Sequence, residues 1–211
     1  MLRATGISAA EGASTSRGIA MMLMAMFIFA CQDAVSKHLA ATYAVPQIMM
    51  VRYLCFLAIA IVLCRRVGGV RVALKARRPG LQFLRCVVMI AETALFVMVM
   101  RLMPLADAHA VLAIAPIIVT ILSVPLLGEK VGIRRFMAVL VGFVGMLIIL
   151  RPGAGALQPG ALLALLCAFM FGLYIILTRK VSAEDTSETS FLYLAGVGVL
   201  GTVALGPVYW V

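Results

Sequence analysis

Seven long apolar stretches dominate the sequence, and each is long enough to cross a bilayer as a helix. A spanning helix needs about 20 mostly apolar residues, because the hydrocarbon core is about 30 Å thick and each helical residue rises about 1.5 Å. The stretches, numbered here as spans 1 to 7, cover roughly residues 18–40, 46–64, 80–101, 105–127, 134–150, 157–178 and 189–211. They are continuously apolar, whereas the strands of a membrane barrel alternate over about ten residues. The sequence therefore predicts an all-α polytopic membrane helix bundle.

Composition indicates the same fold class and leaves little of the chain for a soluble domain. Of the 211 residues, 64% are hydrophobic and 12% are charged, and the mean hydropathy is +1.15. Soluble domains contain about 25% charged residues. Span 1 is longer than the apolar region of a signal peptide, so we interpret it as the first transmembrane helix.

The net charge of +10 is divided unevenly between the two sides of the membrane. When the loops alternate across the seven spans, most of the 18 Lys and Arg residues fall on the side of the N-terminal segment. The other side receives Lys37, Arg101 and Arg151. Because loops rich in Lys and Arg stay in the cytoplasm, we expect a cytoplasmic N-terminus in the cell (inner or plasma) membrane. The basic loops are expected to touch anionic lipid, and no nucleic-acid partner is predicted.

A weak internal repeat relates span 1 to span 6. Shifting the sequence by 142 residues aligns residues 18–41 with residues 160–183, and Ser36-Lys37 then falls on Thr178-Arg179. The shift contains five spans, an odd number, so the second copy crosses the membrane in the opposite sense, as in inverted-repeat transporters. The predicted organisation is a cytoplasmic N-terminal segment, a first five-helix repeat, a Gly/Pro-rich joint and a partial second repeat of two helices. These units cover residues 1–17, 18–150, 151–159 and 160–211, respectively.

Three features occur together in residues 105–153, LADAHAVLAIAPIIVTILSVPLLGEKVGIRRFMAVLVGFVGMLIILRPG. They are Pro116 within span 4, the turn LLGEKV after that span, and a Gly-rich span 5 that ends in Arg-Pro-Gly. Together with ACQDAVSKHLA in span 1 and VRYLCFLAIAIVLCRR in span 2, the pattern resembles the EamA-type drug/metabolite transporter (DMT) superfamily. The resemblance covers the chain from residue 18 onward. It implies secondary transport of small-molecule substrates, organic metabolites or drugs, by alternating access.

The resemblance also implies ten helices in two inverted repeats, and this sequence ends after the seventh span. We therefore expect that a homodimer or three further C-terminal helices complete the transporter. The alternative is a truncated or partner-dependent membrane subunit without transport of its own.

Ionisable side chains within the spans are the candidates for a substrate or proton pathway, because a charge at a helix centre costs about 2.5–3.5 kcal/mol. Glu92 lies near the middle of span 3, and Arg85 precedes it by seven residues on the same helical face. The spacing places the two residues to bracket one polar cavity. The alternatives are a protonated Glu92 bound to a neighbouring helix and an Arg85 that reaches the cytoplasmic headgroups.

Spans 1 and 2 carry charges in their outer halves. Asp33 and Lys37 are four residues apart, which predicts an ion pair along one face of span 1. Arg52 lies about six residues into span 2. A salt bridge from Arg52 to Asp33 or Asp107 and extension of Arg52 to the membrane surface are alternative predictions.

Span 4 contributes three further candidates, Asp107, His109 and Pro116. Asp107 follows a proline at the start of the span, so it is predicted to cap the helix N-terminus. A histidine ionises near neutral pH, so His109 is predicted to act as a proton relay or, alternatively, as a hydrogen-bonded interior residue. Proton coupling is a hypothesis that rests on His109 with Glu92 and Asp33. Pro116 removes a backbone hydrogen bond, which predicts a kink that serves as a hinge or as a packing feature.

Aromatic and small residues complete the predictions for spans 6 and 7. Tyr174 is a candidate lining residue of the substrate cavity, and contact with lipid or packing against neighbouring side chains is the alternative. Gly198 and Thr202 have the small-xxx-small spacing that predicts close approach of a neighbouring helix.

No motif in the sequence indicates an enzyme, a nucleotide-driven pump or a metal site. The patterns H-E-x-x-H, G-x-S-x-G and the P-loop do not occur. The 5 cysteines form no C-x-x-C pair and are expected to pack as small apolar residues. The 14 methionines are interpreted as apolar packing residues rather than copper ligands. We therefore predict a non-enzyme without cofactor or metal.

Overall fold

The computed structural model describes the backbone of residues 4–129, 132–150 and 159–203, and the side chains of residues 16, 18–129, 132–134, 136–145 and 159–203. Within these ranges the chain is helical and contains no strand, which confirms the predicted all-α fold. The helices are α1 (Ala4–Ala40), α2 (Val45–Cys64), α3 (Val70–Ala73), α4 (Pro79–Leu102), α5 (Leu105–Leu112), α6 (Ala115–Leu127), α7 (Ile133–Leu150), α8 (Pro159–Ser182) and α9 (Ser187–Val203). A 3₁₀ turn, Arg65–Val67, follows α2.

Five segments of the described chain are long and apolar enough to cross a membrane. They match spans 1 to 4 and span 6, and their bounds are Gly18–Ala40, Val45–Val67, Pro79–Leu102, Leu105–Leu127 and Pro159–Ser182. Span 5 corresponds to α7, in which the apolar segment Phe136–Gly145 is shorter. Span 7 begins in α9 and continues into residues outside the described part of the chain. The chain is therefore a multi-pass membrane protein.

Helix α1 extends beyond the predicted first span. It has 37 residues and begins at Ala4, so most of the predicted N-terminal segment 1–17 belongs to the same helix. The first proline of the chain is Pro46, and the residues before span 1 include several alanines, the residue with the highest helix propensity. Pro46 lies in the first turn of α2, where its missing N–H leaves no intrahelical bond unmade.

Helix α4 occupies the centre of the bundle. It packs mainly against α8 and α9 and also contacts α1, α2 and α5, while α2 packs along α9 and α6 along α8. One apolar cluster joins α4 to α5 and α8 and includes Phe96, Val111 and Ala164. Most of the apolar span of α1 is exposed and only Ser36 and Ala40 in its last turns are buried, so this helix lies at the edge of the bundle.

Two glycines allow the closest helix contacts. A Cβ atom on Gly198 of α9 would lie 2.3 Å from Cδ1 of Tyr53 in α2, and one on Gly172 of α8 would lie 2.8 Å from Cγ2 of Ile118 in α6. Only glycine leaves room for these neighbours. The prediction of close approach at Gly198 is therefore confirmed.

The two ends of the bundle differ in charge. The segment between α2 and α4 carries six Lys and Arg side chains, Arg65, Arg66, Arg71, Lys75, Arg77 and Arg78. It meets the turn between α8 and α9, since the Arg77 amide donates to Asp185 at 2.9 Å. We call this end the basic end. At the opposite end, Lys37 near the end of α1 donates to the Met103 carbonyl after α4 at 3.1 Å.

Candidate functional site

Four ionisable side chains from four helices form a cluster within the membrane-spanning segments, and one of them, His109, has a side chain that is 50% exposed. Asp33 of α1 and His109 of α5 form the closest pair, with 3.2 Å between Oδ2 and Nε2. The Asp33 side chain is 19% exposed. The edge of the His109 ring packs on Phe96, 5.4 Å between ring centroids, which orients the imidazole. Arg52 of α2 and Glu92 of α4 are the other two members of this central cluster.

Glu92 is the deepest carboxylate of the cluster. It lies about 20 Å along a helix of about 36 Å, and it is 6% exposed. The Thr93 hydroxyl donates to its Oε2 at 3.4 Å. Its charge interacts with those of Arg52 and Asp33. The structure thus places Glu92 beside other polar groups rather than against lipid.

Arg52, a member of the central cluster, also contacts two neutral side chains. With the Gln32 amide oriented so that its oxygen faces Arg52, that oxygen accepts from Nη2 at 2.9 Å and from Nη1 at 3.2 Å. The guanidinium lies 5.5 Å from the centre of the Phe56 ring. No described carboxylate lies within 4.0 Å of it, so the predicted salt bridge to Asp33 or Asp107 is wrong. The Arg52 Nε atom is buried without a partner among the described residues.

The predicted Asp33–Lys37 ion pair is also wrong. Asp33 pairs instead with His109, because α5 brings an imidazole to 3.2 Å from the carboxylate. Lys37, one turn further along α1, donates to the Met103 carbonyl at the C-terminus of α4. A cation at this position is stabilised by the negative end of the helix dipole.

Span 4 differs from its prediction at Asp107 and agrees with it in being disturbed next to Pro116. The N-cap position of α5 is Pro104, and no side chain caps it, so the predicted capping role of Asp107 is wrong. Asp107 is exposed and already lies within the first turn, where its charge faces the positive end of the helix dipole. Pro116 lies in the first turn of α6, and the predicted disturbance of the span is the two-residue turn at 113–114 just before it, where the backbone stays in the right-handed helical region. The proline cannot continue an α5 hydrogen-bond ladder, so a new helix begins there.

Arg85 lies at a different place from Glu92, so the prediction that the two bracket one cavity is wrong. Its side chain is 2% exposed, and it donates from Nε to Gln82 at 3.2 Å and from Nη2 to the Ser190 carbonyl at 2.6 Å. Two helical turns separate Arg85 from Glu92. Arg85 lies in a pocket between α4, α8 and α9 whose lining does not include Glu92, whereas Glu92 lies near the charges of Arg52 and Asp33. The predicted extension to the headgroups does not occur either.

Tyr174 of α8 belongs to the surroundings of Arg85. Its hydroxyl accepts from Arg85 Nη1 at 3.3 Å, and its ring lies 5.5 Å from the guanidinium carbon. Phe171 stacks on the ring with 6.4 Å between centroids. The structure therefore places Tyr174 at the basic end, apart from the central cluster.

Sequence reasoning missed Gln82 and Ser190. Gln82 is fully buried and donates to both the Asp185 carboxylate and the Ser190 hydroxyl, at 3.0 and 3.1 Å. The available signal was the i, i+3 spacing of Gln82 and Arg85 within an apolar span, because two polar residues on one helical face indicate a polar contact. Ser190 gave no such signal, since a serine near a helix start is ordinary. Within the described residues, no three His, Cys, Asp or Glu side chains are grouped to hold a metal ion.

A multi-pass α-helical bundle with a cluster of charges at membrane depth is typical of membrane transporters. Residues 16–151 match the EamA-like transporter family, and the chain belongs to this family. This finding confirms the resemblance drawn from residues 105–153.

Curated relatives give the same class. The chain is 30% identical over 184 residues to a riboflavin transporter of Vibrio cholerae, covering 84% of this chain and 60% of the relative. It is 24% identical over 194 residues to an S-adenosylmethionine uptake transporter of Rickettsia prowazekii, with 92% and 65% coverage. It is 25% identical over 195 residues to the pseudopaline exporter CntI of Pseudomonas aeruginosa, with 92% and 66% coverage. The chain thus spans less than two thirds of the length of these relatives, and no solved structure matches it.

Proposed function

We propose that this protein acts in the membrane as a secondary transporter that moves a small organic solute by alternating access. The observation that carries the proposal is the central cluster, in which Asp33, Arg52, Glu92 and His109 converge from four helices of an EamA-family bundle. Charges at this depth are unfavourable in lipid and are retained where they border a polar pathway. The cluster is therefore the inner lining of the solute or ion path.

The break between α5 and α6 supplies the flexible element that alternating access requires. Helix α5 carries His109 of the cluster, whereas α6 packs along α8 on the other side of the break. The turn at 113–114, just before Pro116, is a point at which α5 and α6 can tilt relative to each other, because the proline cannot donate its hydrogen bond to the backbone ladder. Movement of α5 would separate His109 from Asp33 and change the charge exposed to the path.

Proton coupling follows from the same pair. A carboxylate and a protonated imidazole in contact attract each other. This attraction is lost when the carboxylate gains a proton or when the imidazole loses one. Glu92 adds a second carboxylate that interacts with the charge of Asp33. Protonation of this cluster would alternate with solute binding, so the proton gradient would drive transport.

The substrate class is inferred from the relatives. They are named for riboflavin, S-adenosylmethionine and pseudopaline, and both uptake and export occur among them. We therefore assign a small organic solute as the substrate of this chain, and the experiment tests both uptake and export. The basic end is assigned to the cytoplasm of the inner or plasma membrane, together with the N-terminus, on the distribution of Lys and Arg.

Transport by purified protein in sealed vesicles tests the proposal. Labelled riboflavin and labelled S-adenosylmethionine are presented with and without a pH gradient across the membrane. We expect uptake of at least one solute above protein-free vesicles, stimulated by the gradient. The Glu92→Gln variant, which cannot bind and release a proton at this position, should lose the stimulation.

Glu184→Gln is the matched control, because Glu184 pairs with Arg78 at the basic end, outside the central cluster. It should transport like the wild type. Uptake that is indifferent to the gradient in wild type and in Glu92→Gln alike would exclude proton coupling. Absence of transport of both labelled solutes, in uptake and in release from preloaded vesicles, would contradict transport of these solutes by this chain alone.

The alternative function is a partner-dependent subunit without transport of its own. The observation that favours it is the exposed apolar span of α1, which offers a long face for other helices. Cys31 lies exposed on this helix, and Cys55 is exposed on α2. In a Cys55→Ser variant, oxidative cross-linking in native membranes through Cys31 to twice the 22.5 kDa mass would identify a homodimer. A cross-link to a different mass would identify another partner, and no cross-link would count against an α1 interface at this residue.

A further inference from the structure

A pocket of about 360 Å³ opens at the basic end, between α4, α8 and α9. It is separate from the central cluster. Ser182, Thr186 and Ser187 are exposed at its rim, whereas Arg85 is a buried part of its lining. A concave site with a few convergent polar groups is suited to a small polar ligand.

Arg85 contributes a full positive charge that no described carboxylate contacts. Its three closest partners are the Gln82 amide oxygen, the Tyr174 hydroxyl and the Ser190 carbonyl, and all three are neutral. The side chain is 2% exposed. A buried charge without an opposite charge is unfavourable, so a bound anion would stabilise this arrangement.

Three hydroxyl groups of the same pocket retain hydrogens to donate. The Tyr174 hydroxyl accepts from Arg85, and the Ser190 hydroxyl accepts from Gln82, so each keeps its own O–H. Thr178 Oγ1 is buried and has no hydrogen-bond partner among the described residues. The lining therefore presents donors to a ligand, and a ligand rich in acceptors matches it.

The acidic residue of the lining is already engaged. Asp185 Oδ1 accepts from the Arg77 amide at 2.9 Å, and Oδ2 accepts from Gln82 at 3.0 Å. The positive end of the 17-residue helix α9 also faces this region, since the helix begins at Ser187 of the rim. Because the Asp185 charge remains nearby, the pocket favours a ligand with one negative charge over one with two.

We propose that this pocket binds the carboxylate group of a small organic monoanion. Arg85 supplies the charge, and the hydroxyls of Tyr174, Thr178 and Ser190 supply further hydrogen bonds. A planar carboxylate accepts several such bonds at once. The inference rests on the proposed function in one respect, that the natural ligand is a transported solute; binding itself requires no transport.

Benzoate is the probe, because it joins one carboxylate to an aromatic ring that suits the Phe191 and Leu194 side chains of the lining. The purified full chain in detergent is heated with millimolar benzoate at constant ionic strength. Benzoate should raise the unfolding temperature, since a ligand that binds the folded state stabilises it. Benzamide, which has the same ring without the charge, should not.

Equal effects of benzoate and benzamide, or no effect of benzoate, would overturn the proposal. Inorganic phosphate is the third probe. Stronger stabilisation by phosphate than by benzoate would overturn the assignment of a singly charged carboxylate, because the Asp185 argument would then fail.

Two variants test the hydroxyl groups without removing the charge. Tyr174→Phe and Thr178→Val keep side-chain shape, and each should weaken benzoate binding about tenfold, as loss of a hydrogen bond to a charged group does. Tyr193→Phe is the matched control, since its hydroxyl donates to the Leu74 carbonyl at the same end but outside the lining. Wild-type affinity in both test variants would overturn the proposed site.

The two proposals fail separately. A chain that binds benzoate but moves no solute in vesicles overturns the transport function and leaves the pocket standing. A chain that transports solute but shows no benzoate binding overturns the pocket alone. Arg85 is left unchanged in these experiments, because its removal from the buried hydrogen-bond network would disturb folding, and the hydroxyl variants decide the question.

Discussion

The substitution Gly198→Ala tests whether the contact between α2 and α9 depends on the missing side chain. The added Cβ would lie 2.3, 2.4 and 2.7 Å from three ring atoms of Tyr53. Carbon atoms prefer separations of about 3.5–4.0 Å, so the ring or the helix must move by about 1.2 Å or more. Tyr53 is 1% exposed, so its ring is enclosed by neighbouring side chains that would have to move with it.

The expected loss follows from these distances. Overpacking of a filled core costs about 1–3 kcal/mol, and a contact this short with a buried ring belongs at the upper end. Replacing glycine by alanine within a helix returns about 1 kcal/mol through helix propensity. We therefore expect Gly198→Ala to lower the free energy of unfolding by about 2 kcal/mol.

Gly196→Ala on the same helix is the matched control. No atom lies within 4 Å of a Cβ at Gly196, so this variant keeps the propensity gain without the clash. The two alanine variants should differ by about 3 kcal/mol, or more than about a hundredfold in the unfolding equilibrium. Unfolding by sodium dodecyl sulfate in mixed micelles, followed by circular dichroism, measures this difference.

The same substitution in a Tyr53→Ala protein tests whether the tyrosine ring causes the loss of stability. In a Tyr53→Ala protein the ring is gone, so Gly198→Ala should carry no penalty, and the double-mutant cycle should show a coupling of about 3 kcal/mol. Equal stability of Gly198→Ala and Gly196→Ala would refute the reasoning. A penalty that persists in the Tyr53→Ala background would show that the ring is not the obstacle.

Three further predictions use the same unfolding assay. Gly172→Ala should lower the free energy of unfolding by about 1 kcal/mol, because its Cβ would lie 2.8 Å from Cγ2 and 3.2 Å from Cβ of Ile118, a residue that is stiff in a helix, and the gain in helix propensity offsets only part of this cost. Gly142→Ala, with open space around it, should lose no stability, and equal losses in the two variants would contradict this reasoning. Gln82→Leu should lower the free energy of unfolding by about 3 kcal/mol, because the buried charged and polar partners of Gln82 are left without a hydrogen bond. A decrease below about 1 kcal/mol would show that the helices readjust. Arg78→Gln should change stability by less than about 0.5 kcal/mol despite the 2.7 Å pair with Glu184, since the arginine is 59% exposed; a larger effect would contradict the view that water screens this pair.

The class of fold was predictable from sequence because lipid imposes one strong rule. Backbone polar groups in the hydrocarbon must bond within their own segment, so an apolar stretch of about 20 residues has no alternative to a helix. The residues of spans 1 to 4 and 6 illustrate this, since length and hydropathy alone gave their bounds to within a few residues. The family match over residues 16–151 follows from the same linear patterns.

The turn within span 4 shows one limit of prediction from the local sequence. Proline at position 116 predicted a disturbance, but whether a helix kinks or ends depends on which neighbours satisfy the freed carbonyl groups. Here the chain ends α5 at Leu112 and starts α6 at Ala115. Asp107 illustrates the same limit, because a shift of three residues in the helix start, from position 107 to position 104, decides whether a carboxylate caps it.

The partners of the charged side chains depended entirely on the tertiary structure. Spacing along one helix suggested Asp33 with Lys37 and Arg85 with Glu92, because sequence shows only neighbours on the same element. In the folded chain, α5 brings His109 to Asp33, and α8 and α9 enclose Arg85.

The sequence by itself determined that the chain enters the membrane as helices, that it belongs among transporter-like bundles, and which ionisable groups are costly enough to have a role. These properties depend on composition and on periodicity within single segments. The tertiary structure decided which groups meet, because a contact between two helices depends on their packing angle, register and the size of a few residues such as Gly198. The central cluster and the Arg85 pocket exist only through that packing.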